Sequence, residues 1–444
     1  MPNQNPCEWL RSAVARNRGN EPVGIYSVCS ANPWVLEATM RQALADDSNI
    51  SIESTSNQVN QFGGYTGMTP AAFVRFVHSQ AERAGFRQDR ILMGSDHLGP
   101  YPWRSEAAES AVAKACELVR ASIEAGYCKI HLDASMACAD DPKGKALADA
   151  VVAERAARMC EAAEKAHAAL GDGRPAPVYV IGTEVPIPGG EQEPGTAPAV
   201  TRVEDAARTL GSFREAFQKR GLTAAWDRVI GLVVQPGVEF GDALVFEYER
   251  AKARSLSENM PKSPLLVYEA HSTDYQPPAA LRELVEDHFA ILKVGPWLTF
   301  AFREAIFALS AIEKEWLDSR RGVTFSRVRE SLEAAMLRNP ANWKPYYHGD
   351  EQEQSFARRY SYSDRSRYYW PDAGVQKELK QLIGNLSEWP APLTLLSQYL
   401  PEEYDAVRAG RIGNAPAELV QERIRKVARI YTAACGGGSR SERN

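Results

Sequence analysis

Cysteine is scarce in this chain: there are seven in 444 residues, at positions 7, 29, 116, 128, 138, 160 and 435, with no CxxC pair among them. An odd, scattered set excludes a zinc knuckle and points to reduced thiols, not a disulfide framework. Long apolar runs are missing as well. No stretch reaches the roughly 18 uncharged apolar residues that a membrane helix needs. The opening MPNQNPCEWLRSAVARNRGN has no apolar core of the kind a secretory leader carries. A cytoplasmic protein is expected, without a membrane anchor. Charge of one sign is also lacking: 52 basic residues face 57 acidic ones, the net charge is −5, and no long basic block occurs. That balance argues against a nucleic-acid surface and in favour of small-molecule or protein partners.

What is present is a cadence. Short apolar, β-rich runs recur as GIYSVCS (24–30), ISIEST (50–55), ILMGSDH (91–97), CKIHLDAS (128–135), VYVIGTEV (178–185), VIGLVVQP (229–236), LLVYEA (265–270) and FAILKVG (289–295). Between them lie segments such as PAAFVRFVHSQAERAGF, with apolar residues at helical spacing and glycine near the end. Eight continuous apolar strands alternating with helices suit a closed parallel barrel, whose strands are buried on both faces. We therefore read an α/β protein: residues 1–19 as a helical lead-in, 20–315 as a (β/α)8 TIM barrel, 316–435 as a C-terminal helical extension and 436–444 as a disordered tail. An open doubly wound sheet is the alternative, but no strand is followed by GxGxxG. The extension carries an arginine-rich, aromatic loop at 358–371.

Barrel enzymes place their chemistry at the C-terminal ends of the strands. The polar residues found there are Glu53 and Asn57-Gln58, Asp96-His97, His131 and Asp133, Glu184, Gln235, His271 and Lys293. Imidazoles and carboxylates suit a divalent metal such as Zn²⁺. From the residues alone, a metal site and a set of histidines that merely hydrogen-bond in the mouth remain alternatives. His131 reads as a core histidine outside the metal set. Asp133 and Ser135 read either as substrate contacts or as internal hydrogen-bond partners, and Asn57 and Gln58 either as hydroxyl-binding groups or as a polar turn. Lys293 reads as a mouth cation or a buried ion pair.

The segments ESTSNQVNQFGGYTGMTP, GSDHLGP, KIHLDASM, VIGTEVPIPGGE, VVQPGVEFG, VYEAHSTDYQ, HFAILKVGPWLTFAFREAIFAL and YSYSDRSRYYWP resemble those of the GatZ/KbaZ family. That family is described as the stabilising subunit of tagatose-1,6-bisphosphate aldolase, and some of its members act alone as tagatose-6-phosphate 4-epimerases. The family in turn is similar to the class II, metal-dependent ketose-bisphosphate aldolases. The resemblance implies that Asp96 is the acid/base and His97 a metal ligand, that Glu184 in TEVPIPGG is a second catalytic carboxylate, and that His271 is the last metal ligand. Two departures accompany it. Gln235 stands where those aldolases have a further ligand histidine, and its carbonyl oxygen is expected to coordinate the metal in its place, though more weakly; HSTDYQ, with Asp274, replaces their glycine-rich phosphate loop.

A ketose phosphate is the implied substrate, with the phosphate at C6 falling to Arg365 and Arg367, whose planar forks suit phosphate. Asp274, Asn57, Gln58, Asp133, Ser135 and Lys293 complete the expected substrate contacts. The implied reaction inverts C4 of tagatose 6-phosphate. The alternatives are a non-catalytic subunit that binds a class II aldolase partner, and an epimerase of the free ketose. The sequence leaves a homo-oligomer open.

Overall fold

The computed structural model describes residues 5–171, 173–183 and 197–437. Eight parallel strands close into one barrel: β1 Ile25–Val28, β2 Ile50–Thr55, β3 Ile91–Asp96, β4 Lys129–His131, β5 Val178–Ile181, β6 Val229–Val233, β7 Val267–Ala270 and β8 Ile291–Val294. Each strand pairs with its sequence neighbours, and β8 returns to β1 in register, Ile25 opposite Ile291 through Val28 opposite Val294. Every residue of β3 is buried, as expected for a strand between a packed interior and a helical ring. The expected TIM barrel is therefore the fold, with all eight strands inside the runs read from the sequence.

Helices start where local chemistry allows. Asn32 accepts the Trp34 N–H ahead of helix Pro33–Ala45, and Asp350 with Glu353 forms a capping box at Glu351–Tyr360. The lead-in helix Pro6–Arg18 seals the barrel floor, burying Leu10 and Val14 against Ile25, Leu92, Val178, Ile230 and Val267. At its start, Cys7 is joined to Cys128 just ahead of β4, with Cα atoms 6.3 Å apart. That pairing corrects the expectation of reduced thiols only. The two cysteines lie 121 residues apart, so only the folded floor brings them together.

The helical extension is not a separate layer. Its last helix, Pro416–Ala434, packs against helices Pro33–Ala45, Pro278–Glu286 and Pro296–Leu317 and reaches β1, so it completes the outer ring. Loop 361–369 is drawn onto the barrel by Asp364, which accepts from Thr299 and Ser366 at 2.5 and 2.7 Å. Among the described residues, no helix is long and apolar enough to cross a membrane.

Candidate functional site

Side chains alternate faces along a strand, so residues two apart share one face. In this barrel the rule aligns Ser51 with Glu53, Lys129 with His131, and Glu269 with His271, all buried. The upper interior is therefore charged where most barrels are apolar. Lys129 Nζ lies 2.9 Å from Glu53 and 2.7 Å from Glu269. Lys293 Nζ contacts Glu53 and lies 3.1 Å from Asp96 Oδ1.

The histidines gather above this layer. His97, the residue after β3, has φ of +45°. This left-handed conformation is costly for a side chain with a Cβ and is typically held in place at functional sites. The neighbours fix it: Ser56 donates to the His97 carbonyl at 2.9 Å, and the chain resumes pairing with β4 at Leu98 and Leu132. Gly99 follows because the Asp133 carbonyl passes so close that a Cβ there would sit 1.6 Å from its oxygen. The kink turns the His97 ring toward His131 and His271, with ring centroids 5.4 and 4.7 Å away.

Hydrogen bonds orient the rings. His97 Nδ1 meets Asp133 Oδ2 at 2.8 Å, and His271 Nε2 meets Glu269 Oε1 at 2.9 Å. Each carboxylate takes the proton side of its imidazole and leaves the other nitrogen as a lone pair. Those remaining nitrogens, His97 Nε2 and His271 Nδ1, face each other at 3.2 Å. Asp96 Oδ1 lies 3.8 Å from the first and 4.0 Å from the second, and it is buried without a hydrogen bond. Two facing lone pairs call for a positive charge between them, either a proton or a metal ion, and the Asp96 oxygen beside them, which already has the Lys293 ammonium at 3.1 Å, could share it. Ligand atoms about 3.4 Å apart are what a tetrahedral ion with bonds of about 2.1 Å imposes.

The electrostatics agree. Burial disfavours charge on His97, but Asp96 and the bond to Asp133 outweigh it and raise its pKa. His271 goes the other way: burial and the neighbouring His97 push it down to about 4, against Glu269 and Asp96. Burial also opposes ionisation of Asp96, yet Lys293 and His97 hold its carboxyl well below the usual range. Formally, the four carboxylates of Glu53, Asp96, Asp133 and Glu269 face two ammonium groups, leaving two negative charges that a divalent cation would balance. Asp96, His131, Glu269 and His271 each bring a donor atom within 4.8 Å of the others and could hold a metal ion.

The expected residues divide as follows. Asn57, Gln58, Asp96, His97, His271, Asp274, Lys293 and Arg367 line the mouth together. Asp133 and Ser135 do not; Ser135 donates to Asp133 at 2.6 Å, and Asp133 serves His97. Gln235 is not brought to the donor set either. Its Oε1 accepts the N–H groups of Gly237 and Val238 at 2.8 and 3.0 Å, closing its own turn. Arg365 is not among the residues found lining the mouth; its guanidinium lies over the Tyr346 ring and donates to the Asn342 carbonyl at 3.2 Å. Glu184 lies outside the described residues. His131, read as a core histidine, belongs to the donor set; its Nδ1 accepts the His97 N–H at 3.1 Å and its Nε2 is buried without a partner. Glu269 and Lys129 were missed, although the two-residue spacing to His271 and His131 was the available signal.

Asp274 sits across the mouth, accepting the N–H groups of Gly295 and Trp297 at 3.0 and 2.8 Å. Burial nonetheless pushes its pKa up to about 6. Arg367 donates to the carbonyls of Ser363 and Asp364 and to the Tyr368 hydroxyl, while Tyr65 meets Tyr368 edge-on at 4.9 Å.

Residues 10–436 match the family described as D-tagatose-1,6-bisphosphate aldolase subunit GatZ/KbaZ-like. A crystal structure of a probable tagatose 6 phosphate kinase from Sinorhizobium meliloti 1021 is 46% identical, covers 93% of this chain and 100% of its own, and superposes with a TM-score of 0.84. The YdjI aldolase from Escherichia coli K12 is 11% identical over 84% of this chain and 96% of its own, with a TM-score of 0.40. The fructose-bisphosphate aldolase from Campylobacter jejuni is 13% identical over 86% and 92%, with a TM-score of 0.41. At that overlap the two aldolases bear on nothing in the site.

Proposed function

The chain belongs to the D-tagatose-1,6-bisphosphate aldolase subunit GatZ/KbaZ-like family, and from that premise we propose that it is a metal-dependent epimerase inverting C4 of tagatose 6-phosphate to give fructose 6-phosphate. The observation that carries this reading is the facing pair His97 Nε2 and His271 Nδ1 with Asp96 Oδ1 beside them, each histidine backed by a carboxylate. His131, Glu269 and His271, with Asp96 beside them, would hold a divalent ion, together with His97, whose Nε2 faces His271 Nδ1 at 3.2 Å; imidazole and carboxylate donors favour Zn²⁺. Such an ion supplies Lewis-acid polarisation of the C2 carbonyl.

The rest falls to the chain's own residues. Asp96 removes the proton from the C4 hydroxyl. The electrons of that O–H bond form the C4 carbonyl, the C3–C4 bond breaks, and its electron pair passes to an enediolate of C2 and C3. The Lys293 ammonium, 3.1 Å from Asp96, lies where it can donate to the developing oxyanion. Arg367 keeps the 6-phosphate while the aldehyde presents its other face, and Asn57 and Gln58 orient hydroxyls. Bond formation on that face inverts C4, and Asp96 returns the proton. No redox step is needed.

The family's description names a subunit, which supports a second reading: a chain that stabilises a class II aldolase catalytic subunit without turnover of its own. Metal content and activity of the isolated protein decide between them. We expect about one equivalent of divalent metal and formation of fructose 6-phosphate from tagatose 6-phosphate, with both lost in His97→Ala and His271→Ala while circular dichroism is unchanged. Full metal content in both variants would contradict the site. A wild-type protein that is silent alone but raises the activity of an added aldolase subunit would favour the second reading.

A further inference from the structure

Cys29 follows β1, and its N–H is fixed by the Val294 carbonyl at 2.9 Å, so the side chain is presented to the mouth that Lys293 also lines. Its Sγ and one carboxylate oxygen each from Glu53 and Asp96 lie within 4.8 Å of one another. Glu53 is fully buried, and Asp96 is buried with an Oδ1 that accepts no hydrogen bond. Asp96 belongs to this set and to the histidine set alike. One cation already stands here: the Lys293 ammonium contacts Glu53 and lies 3.1 Å from Asp96.

We propose that Cys29, Glu53 and Asp96 form a second cation position beside the histidine set, held by the Lys293 ammonium in this structure and open to one thiophilic divalent ion. The ammonium rides on a flexible four-carbon stem, so it can leave without disturbing the strand. A sulfur donor sets the preference: Zn²⁺ or Cd²⁺ rather than Mg²⁺ or Ca²⁺, which keep to oxygen. On binding, the Sγ–metal bond forms as the thiol proton is released to solvent. The proposal does not rest on the sugar chemistry above.

The test is titration of the metal-free full-length protein with Cd²⁺, reading the ultraviolet thiolate-to-cadmium charge-transfer band and the bound stoichiometry. The wild type should bind a silent equivalent and a further one that raises the band to one thiolate per chain. Lys293→Met, which removes the resident cation, should reach the same band at roughly tenfold lower free Cd²⁺ or less. Cys29→Ser should abolish the band and keep the silent equivalent. A band absent from both wild type and Lys293→Met, or one that survives Cys29→Ser, overturns the proposal. If Lys293→Met does not fold, the comparison of wild type with Cys29→Ser decides alone.

Discussion

His97 shows how much of the site depends on single residues: a left-handed backbone, a ring fixed by Asp133, and a neighbouring glycine that alone clears the Asp133 carbonyl. Asp274 offers a residue-scale test by pH. Its folded pKa of about 6 lies above the ordinary 3.8 because burial outweighs the two N–H groups it accepts. The native state therefore holds a proton that the unfolded chain has released, and the stability this adds is lost as pH rises through that window and stays flat above it. The two-unit gap corresponds to about 3 kcal/mol. Asp274→Asn keeps an acceptor for Gly295 and Trp297 but cannot ionise. Urea unfolding of the two proteins should give curves that diverge between pH 4 and 6, the variant being the more stable above pH 6. Parallel pH profiles would contradict the assignment.

At the scale of elements, the loops around the mouth are held by a helix remote in sequence. Tyr431, on the last helix, donates to the Thr273 carbonyl at 2.7 Å, and Thr273 donates to the Lys293 carbonyl at 2.6 Å. The extension thus fixes the segment between His271 and Asp274. Tyr431→Phe leaves a buried carbonyl without its donor and should cost about 1–3 kcal/mol in denaturant unfolding. A drop in kcat/KM at unchanged metal content would show that the loop is positioned by this bond; an unchanged value for both would contradict that role.

The arginine loop makes a sharper distinction. Arg367 lines the mouth and Arg365 stacks over Tyr346. Arg367→Ala should therefore lower kcat/KM for tagatose 6-phosphate by roughly tenfold or more, while free tagatose is little affected. Arg365→Ala should change neither sugar strongly. Equal losses in both variants would place the phosphate elsewhere.

At the scale of the whole molecule, the barrel was legible because its strands are buried on both faces and read as continuous apolar runs. Asp96, His97 and His271 were legible for a related reason: polar residues ending such runs have nowhere to go but the mouth. Tertiary geometry hid the rest. Gln235 occupies the right place in its loop, but the nearest free donors are its own turn's N–H groups. Glu269 and Lys129 lie inside strands, where a charge looks misplaced until its partners arrive from β2 and β8. Cys7 and Cys128 meet only once the lead-in helix has sealed the floor. The proposed reaction cleaves the C–C bond between C3 and C4 and leaves the hydrogen on C4 untouched. The direct measurement is the proton NMR spectrum of fructose 6-phosphate formed by the isolated protein from tagatose 6-phosphate in D₂O, with and without chelator. The account predicts protium retained at C4, formation stopped by the chelator and restored by Zn²⁺; deuterium at C4, or no fructose 6-phosphate from the metal-loaded protein, would contradict it.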